Sequence, residues 1–299
     1  MAIMEKNKRS IWKIISLLCA VGAVICIVVV CVNSARQKKA AEEMSRLAQS
    51  TAETSEIAGE PTDIRTAEDS RGQEAEAGQS LDVADAKELF AASVQALSEA
   101  GIPVPEKEIN IPALQEGTNK DIYAWIYIPD TQIDYPVLQH ETDDYYYLNY
   151  NIDGSKGYPG CIYSEGTYNN KEFTDPNTVL YGHNMKNGSM FANLHKYEDS
   201  EFFAEHPYVY IYTEDRLRVY QVFAAYVHGS EHLLYNHNFS DPVMFQRYFE
   251  KVMGERSMNG NFSEEVELSG DEHILTLSTC IANKPDNRYL VQGVLINED

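Results

Sequence analysis

The sequence predicts a mostly-β domain: a barrel of about eight strands, with one helix before it and a second inserted late. It is carried behind an apolar segment long enough to span a membrane. Three observations lead there. Short runs rich in Tyr, Val, Ile and Phe recur from Ala124 to Ile296, separated by Gly, Pro and Asp–Asn clusters. One charge-free stretch, "IISLLCAVGAVICIVVVCV", occupies Ile14–Val32. Between that stretch and the strands lies a long segment too polar to build a core. With 299 residues, the chain has room for one or two domains.

The N-terminal elements come first. Residues 1–13 carry Lys6, Lys8, Arg9 and Lys13, and Arg36, Lys38 and Lys39 follow the apolar stretch. The slight excess on the N-terminal side favours a cytoplasmic N-terminus. Residues 14–32 suffice to cross a hydrocarbon core of roughly 30 Å as a helix. A cleaved signal peptide would have a shorter apolar core, about 7–15 residues, and "VNSA" makes a poor cleavage site. An uncleaved single-pass anchor is therefore expected, with everything after it outside the cell. Residues 33–80 are rich in Ala, Glu, Ser, Thr and Gln and lack aromatics, which suits a flexible acidic stalk.

From Leu81 the pattern changes, and residues 81–299 form the expected globular domain. "LDVADAKELFAASVQALSEAG" sets Val83, Leu89, Phe90, Val94 and Leu97 near helical spacing, and Gly101 stops it. Strands are expected at Ala124–Ile128, Tyr135–Leu138, Gly160–Tyr163, Thr178–Tyr181, Tyr208–Thr213, Arg216–His228, Ile274–Thr279 and Tyr289–Ile296. The run from Arg216 is long enough to call for a bend or bulge. "SDPVMFQRYFEKVMGERS" is the inserted helix, with Ser240 as its cap and Pro242 in its first turn. Its apolar face comprises Val243, Phe245, Tyr248, Phe249 and Val252.

Composition narrows the function. A formal charge of −22 would repel nucleic acid. Of five cysteines, Cys19, Cys26 and Cys31 lie in the apolar stretch, leaving Cys161 and Cys280. That is neither a disulfide framework nor a zinc pattern, and nothing in the spacing supports a Cys161–Cys280 bridge. No EF-hand-like spacing appears, so no metal or cofactor is expected.

Two strand ends carry chemistry. In "HILTLSTCIANKPDNRYLVQGVLI" an apolar run ends at Cys280, where the thiol can meet solvent, and Arg288 follows eight residues on. In "NTVLYGHNMKNGSMFANL" another run ends at Gly182, presenting His183. A thiolate is a nucleophile, a nearby imidazole can lower its pKa and protonate a leaving amine, and a cation can meet a developing oxyanion. The other histidines (His140, His195, His206, His228, His232, His237 and His273) are read as surface or core residues.

"TLSTC" with its downstream arginine, "LYGHNM" and "GSMF" resemble the sortases, membrane-anchored cysteine transpeptidases of Gram-positive surfaces. "YGHNMKNGSMF" and the helix at 240–257 resemble class B members in particular. The resemblance spans roughly 81–299. It implies a sortase-type barrel with Cys280 as nucleophile, His183 as general acid/base and Arg288 as oxyanion stabiliser. It also implies that Ser278 and Thr279 line a sorting-signal groove, with 229–262 as one wall and Tyr226, Tyr235 and Ile281 as candidate wall residues. Asn149 and Asn151 fall in a stretch that class B enzymes keep near the active site. The implied substrates are secreted proteins with a C-terminal NPxTx- or [SP]PxTG-like signal, cut after Thr and joined to a peptidoglycan precursor or cross-bridge amine. Three other readings stay open: a pilin polymerase using a pilin lysine, a peptidase releasing product to water, and a catalytically silent membrane-tethered binding module.

Overall fold

The computed structural model describes residues 83–254 and 260–297, together with most of 25–47. The chain divides into two units, Met1–Arg46 and Leu47–Asp299. In the first, the described residues are helical and Ile25, Val28, Val29, Val30 and Val32 are exposed. Among the described residues no helix is long and apolar enough to cross a membrane. The expected anchor at 14–32 lies mostly outside them, as do residues 1–13 and the stalk from 48 to 80.

The second unit opens with helices α1 (Val83–Glu99) and α2 (Ile111–Gly117). Helix α1 buries Ala86 and Leu97 and ends at Gly101, whose φ of 73° suits a residue without Cβ. Leu89, expected on its apolar face, is exposed. The strands follow: β1 (Ile122–Tyr127), β2 (Asp134–Leu138), β3 (Ile162–Tyr163), β4 (Asn177–Tyr181), β5 (Tyr208–Tyr212), β6 (Leu217–Gly229), β7 (Asn261–Phe262), β8 (Ile274–Ile281) and β9 (Lys284–Leu295). Short helices α3 (Tyr146–Asn149), α4 (Ser200–Glu205) and α5 (Leu233–Asn236) and a 3-10 helix at Phe191–Glu198 fill the connections. Helix α6 (Pro242–Gly254) is the late insertion.

Strand order is β5-β1-β2-β3-β4-β8-β9-β6, and pairing of β5 with β6 closes the ring into an eight-stranded barrel. Strand β7, too short to read from sequence, pairs with Ala224 and Ala225 of β6 outside that closed set. Closure removes the open edges that a sheet of this size would expose. The pairings β2–β3 and β4–β8 are parallel, the rest antiparallel. The irregularity expected in β6 falls between Val222 and Ala224.

Helix α6 starts one residue later than its sequence suggests. Asp241, not Ser240, is the cap: its carboxylate accepts from the Val243 and Met244 amides at 2.9 and 3.2 Å. Pro242 then fills the first helical position, where no amide hydrogen is needed. Phe245, Tyr248, Phe249 and Val252 are buried against Phe223 and Ala224, whereas Val243 points to solvent.

A polar ring fastens α6 to the barrel. Gln292 Nε2 donates to the Tyr248 hydroxyl at 2.7 Å and to Thr276 Oγ1 at 2.8 Å. Tyr226 donates to Gln292 Oε1 at 3.2 Å, and the Tyr226 and Tyr248 hydroxyls lie 3.1 Å apart. Thr276 passes its own hydrogen to Asn177 at 2.9 Å. Every link is buried, so removing one strands its partner in a site without water. Tyr248→Phe should therefore cost about 1–3 kcal/mol, although it deletes one oxygen. Urea denaturation checks this, and a loss near zero would mean the ring contributes nothing.

Candidate active site

Register sets up much of the site. In the parallel β4–β8 ladder the last pair is Tyr181 beside Ser278, and His183 follows just past the end of β4. Across the antiparallel β8–β9 pair, Cys280 opposes Arg288, and Arg288 in turn opposes His228 of β6. Directly opposed residues share a sheet face, with Cβ atoms about 4.5–5.5 Å apart. Cys280, Arg288 and His228 thus form one row across three strands, and His183 borders the same cleft beyond β4. The next row is Tyr181, Ser278, Leu290 and Tyr226.

This face opens into a cleft of about 550 Å³, bordered by Cys280, His183, Arg288, Ser278 and Thr279. The Cys280 thiol is exposed and free, as is the buried Cys161 thiol, so no bridge joins them. Burial pushes the Cys161 thiol far above the usual range, leaving Cys280 as the accessible sulfur in the cleft.

His183 is held on two sides. Its Nε2 lies 2.8 Å from the Leu148 carbonyl, which can only accept, so Nε2 carries hydrogen and Nδ1 is left free. The Tyr158 ring meets the imidazole edge-on, with centroids 4.9 Å apart. The sharp exit from β4 needs Gly182: a Cβ there would lie 2.5 Å from Ile162 and 2.7 Å from Phe191. Thr279 ties the same turn to β8 by donating to the Gly182 carbonyl at 2.8 Å. Arg288 lies within β9 rather than at its start, because the expected loop is mostly a tight hairpin. Its Nη1 donates to the Pro285 and Asn287 carbonyls, both at 2.9 Å, which fixes the guanidinium beside the turn.

Three expected wall residues lie elsewhere. Tyr226 is on the cleft face beside Leu290, but α6 covers it and its hydroxyl is committed to the polar ring. Tyr235 sits on α5 with 76% of its surface exposed, outside the cleft lining. Ile281 follows Cys280 across an irregularity in the β8–β9 register and lies outside the lining. Asn149 and Asn151 shape the neighbouring loop: the Asn149 carbonyl accepts from Gly157 at 2.8 Å, and Asn151 Oδ1 accepts from Gly160 at 3.0 Å.

The cleft also holds groups that sequence reasoning passed over. Glu165, 2% exposed, accepts from His232 Nε2 at 2.7 Å and from the Tyr181 hydroxyl at 3.2 Å. His232 Nδ1 accepts from the Tyr235 amide at 3.1 Å, which leaves its hydrogen on Nε2 for Glu165. The inserted segment is thereby pinned to the barrel. Tyr145 and Tyr163 complete this end, with Tyr163 stacked on Tyr181 at 5.4 Å. Burial pushes the Tyr163 and Tyr181 hydroxyls well up, so both stay neutral donors. No motif marks Glu165 or His232; only the late loop folding back brings them together.

Fold and cleft together define a closed mixed β-barrel with a cysteine-containing groove bordered on one side by the start of an inserted segment. Residues 126–296 match the family model for the sortase domain. A sortase B of Listeria monocytogenes is 40% identical over 184 residues, covering 60% of this chain and 72% of that protein. The crystal structure of Clostridium perfringens sortase B superposes with a TM-score of 0.56 at 28% identity, over 62% of this chain and 100% of that one. A Staphylococcus aureus sortase B–substrate complex gives 0.55 at 25% identity, over 71% and 95%. The chain belongs to the sortase family and, by these relatives, to its class B cysteine transpeptidases.

Burial raises the Glu165 pKa, and the facing His232 only partly offsets it. A raised carboxyl favours the neutral acid in the folded state, so stability is full at low pH and falls as pH rises through the raised value. Glu165→Gln removes this titration while keeping the shape. Wild type and variant should converge below about pH 4, and wild type should lose ground to the variant on going to neutral pH. Denaturation midpoints across that range test it; a gap independent of pH would refute the assignment.

Proposed function

We propose that the chain is a membrane-anchored transpeptidase. It cleaves a C-terminal sorting signal of the NPxTx or [SP]PxTG kind after Thr and transfers the acyl group to a peptidoglycan amine. The observation that supports this best is that His183 and the paired Cys280 and Arg288 border one open cleft. Such an arrangement lets an extended peptide lie across β8 with its carbonyl over the thiol.

In this reading Cys280 gives its thiol proton to the free Nδ1 of His183, and the resulting thiolate attacks the threonine carbonyl carbon. The carbonyl oxygen becomes an oxyanion facing Arg288, whose fixed guanidinium stabilises it without reorganising. Collapse breaks the C–N bond, and the departing amine takes a proton from His183, leaving a thioester. An incoming amine attacks the thioester, His183 recovers the proton, and Cys280 leaves as thiolate. Ser278 and Thr279 line the groove beside the thiol. The apolar segment 14–32 would anchor the enzyme, with the catalytic unit on the outer membrane face where exported substrates pass.

The test uses the full-length chain and quenched peptides bearing NPQTN, SPKTG, PPKTG and LPETG, with and without an added amine. One signal should be cut, an amide should replace the acid when amine is present, and Cys280→Ala should abolish both. Arg288→Ala should lower kcat by about 10²–10³-fold, the usual loss for a missing oxyanion donor. Product that ignores added amine would identify a hydrolase instead.

A further inference from the structure

Parallel ladders space their hydrogen bonds evenly. The Gly182 amide donates to the Ser278 carbonyl at 3.2 Å, so the next rung should run from the amide of residue 184 to the carbonyl of Cys280. It does not form that way. The backbone turns off at His183, whose carbonyl accepts from Phe191 at 3.0 Å. The missing rung is made by a side chain: Asn184 Nδ2 donates to the Cys280 carbonyl at 2.9 Å.

That amide is itself held. Asn184 Nδ2 lies 3.0 Å from His195 Nε2, and His195 Nε2 lies 3.2 Å from the same Cys280 carbonyl. On the far side, His195 Nδ1 meets Glu198 Oε1 at 2.6 Å, and the imidazole stacks on Tyr289 of β9 with centroids 5.0 Å apart. The Cys280 carbonyl can only accept, so Asn184 presents its NH₂ rather than its oxygen. The Glu198 carboxylate can only accept as well, so His195 carries hydrogen on Nδ1, and its Nε2 lies against both the amide and the carbonyl. Glu198 holds the imidazole, and imidazole and amide together bracket the Cys280 carbonyl.

We propose that Asn184, oriented by His195 and Glu198, is a positioning residue that clamps the segment carrying His183 to the backbone of Cys280. Asn184 adjoins His183 in sequence and Cys280 in space, so its hydrogen bond sets the separation of imidazole and thiol. The clamp frees the His183 backbone to leave the ladder and turn its ring into the cleft. This role rests on the reading of Cys280 and His183 as nucleophile and acid/base.

Asn184→Asp is the decisive variant, because it keeps the shape and replaces the donor by a group that repels the Cys280 carbonyl. Misplacement by about 1 Å can cost on the order of 10²-fold in rate. Peptide cleavage by the full-length chain should show kcat falling about tenfold in Asn184→Ala and about 10²-fold in Asn184→Asp, with KM little changed. His195→Gln, which can still offer an acceptor to the amide, should retain more kcat than His195→Ala. A purely structural role predicts that Asp does no worse than Ala and that losses follow the melting temperature; either result overturns the clamp. Alkylation of Cys280 by iodoacetamide supplies a readout that needs no sorting signal. Its rate should change in Asn184→Asp, and an unchanged rate overturns the clamp. Wild type that cleaves no peptide while the alkylation rate still responds would instead refute the transpeptidase reading alone.

Discussion

The parallel ladder between β4 and β8 is the constraint on which the rest depends. Its pairs run from Asn177 beside Ile274 to Tyr181 beside Ser278, and they join parts of the chain almost a hundred residues apart. His183 and Cys280 lie just past the upper end of this ladder and border one cleft, so backbone register brings their segments together. The lower end is locked in the core, where Thr276 donates to Asn177. The upper end must come apart to present its groups to solvent, and there the loss of regular pairing is made good by side chains.

The inserted segment shows how a barrel face becomes a groove. Apolar packing of Phe245, Phe249 and Val252 supplies the adhesion, since burying such side chains contributes about 1.5–3 kcal/mol each. Dispersion and burial are tolerant of sliding, however, whereas hydrogen bonds are not. The Gln292–Tyr248–Tyr226 ring and the Glu165–His232 contact supply the directional fixing. Because Gln292 and Arg288 share β9, the helix is registered on the same strand that carries the guanidinium.

Much of this was legible in the sequence. The β-branched and aromatic runs mark the barrel strands to within a few residues, since a strand buried on one face must repeat every second residue. Cys280, His183 and Arg288 stand out because each lies where such a run ends or resumes. What escaped were contacts that depend on a turn or a cover. Tyr226 has the right alternation for the groove, but α6 lies over it, and sequence does not reveal which stretch of a sheet face an insertion will roof. Ser240 and Asp241 are both good caps, and only the helix start at Pro242 decides between them. Glu165 and His232 are single polar residues in unremarkable loops. Asn184 sat in plain view inside "YGHNM", yet its task appears only once the backbone is seen to leave the ladder one residue earlier.

The order of the elements along the chain has a consequence for timing. Strand β8 occupies the gap between β4 and β9, and both it and β9 follow every other described element. Until β8 enters, β4 is an open edge, and the histidine at its end has nothing to face. Cys280, Arg288 and the strands that carry them all arrive with the final hairpin. Barrel closure and assembly of the cleft are therefore one event.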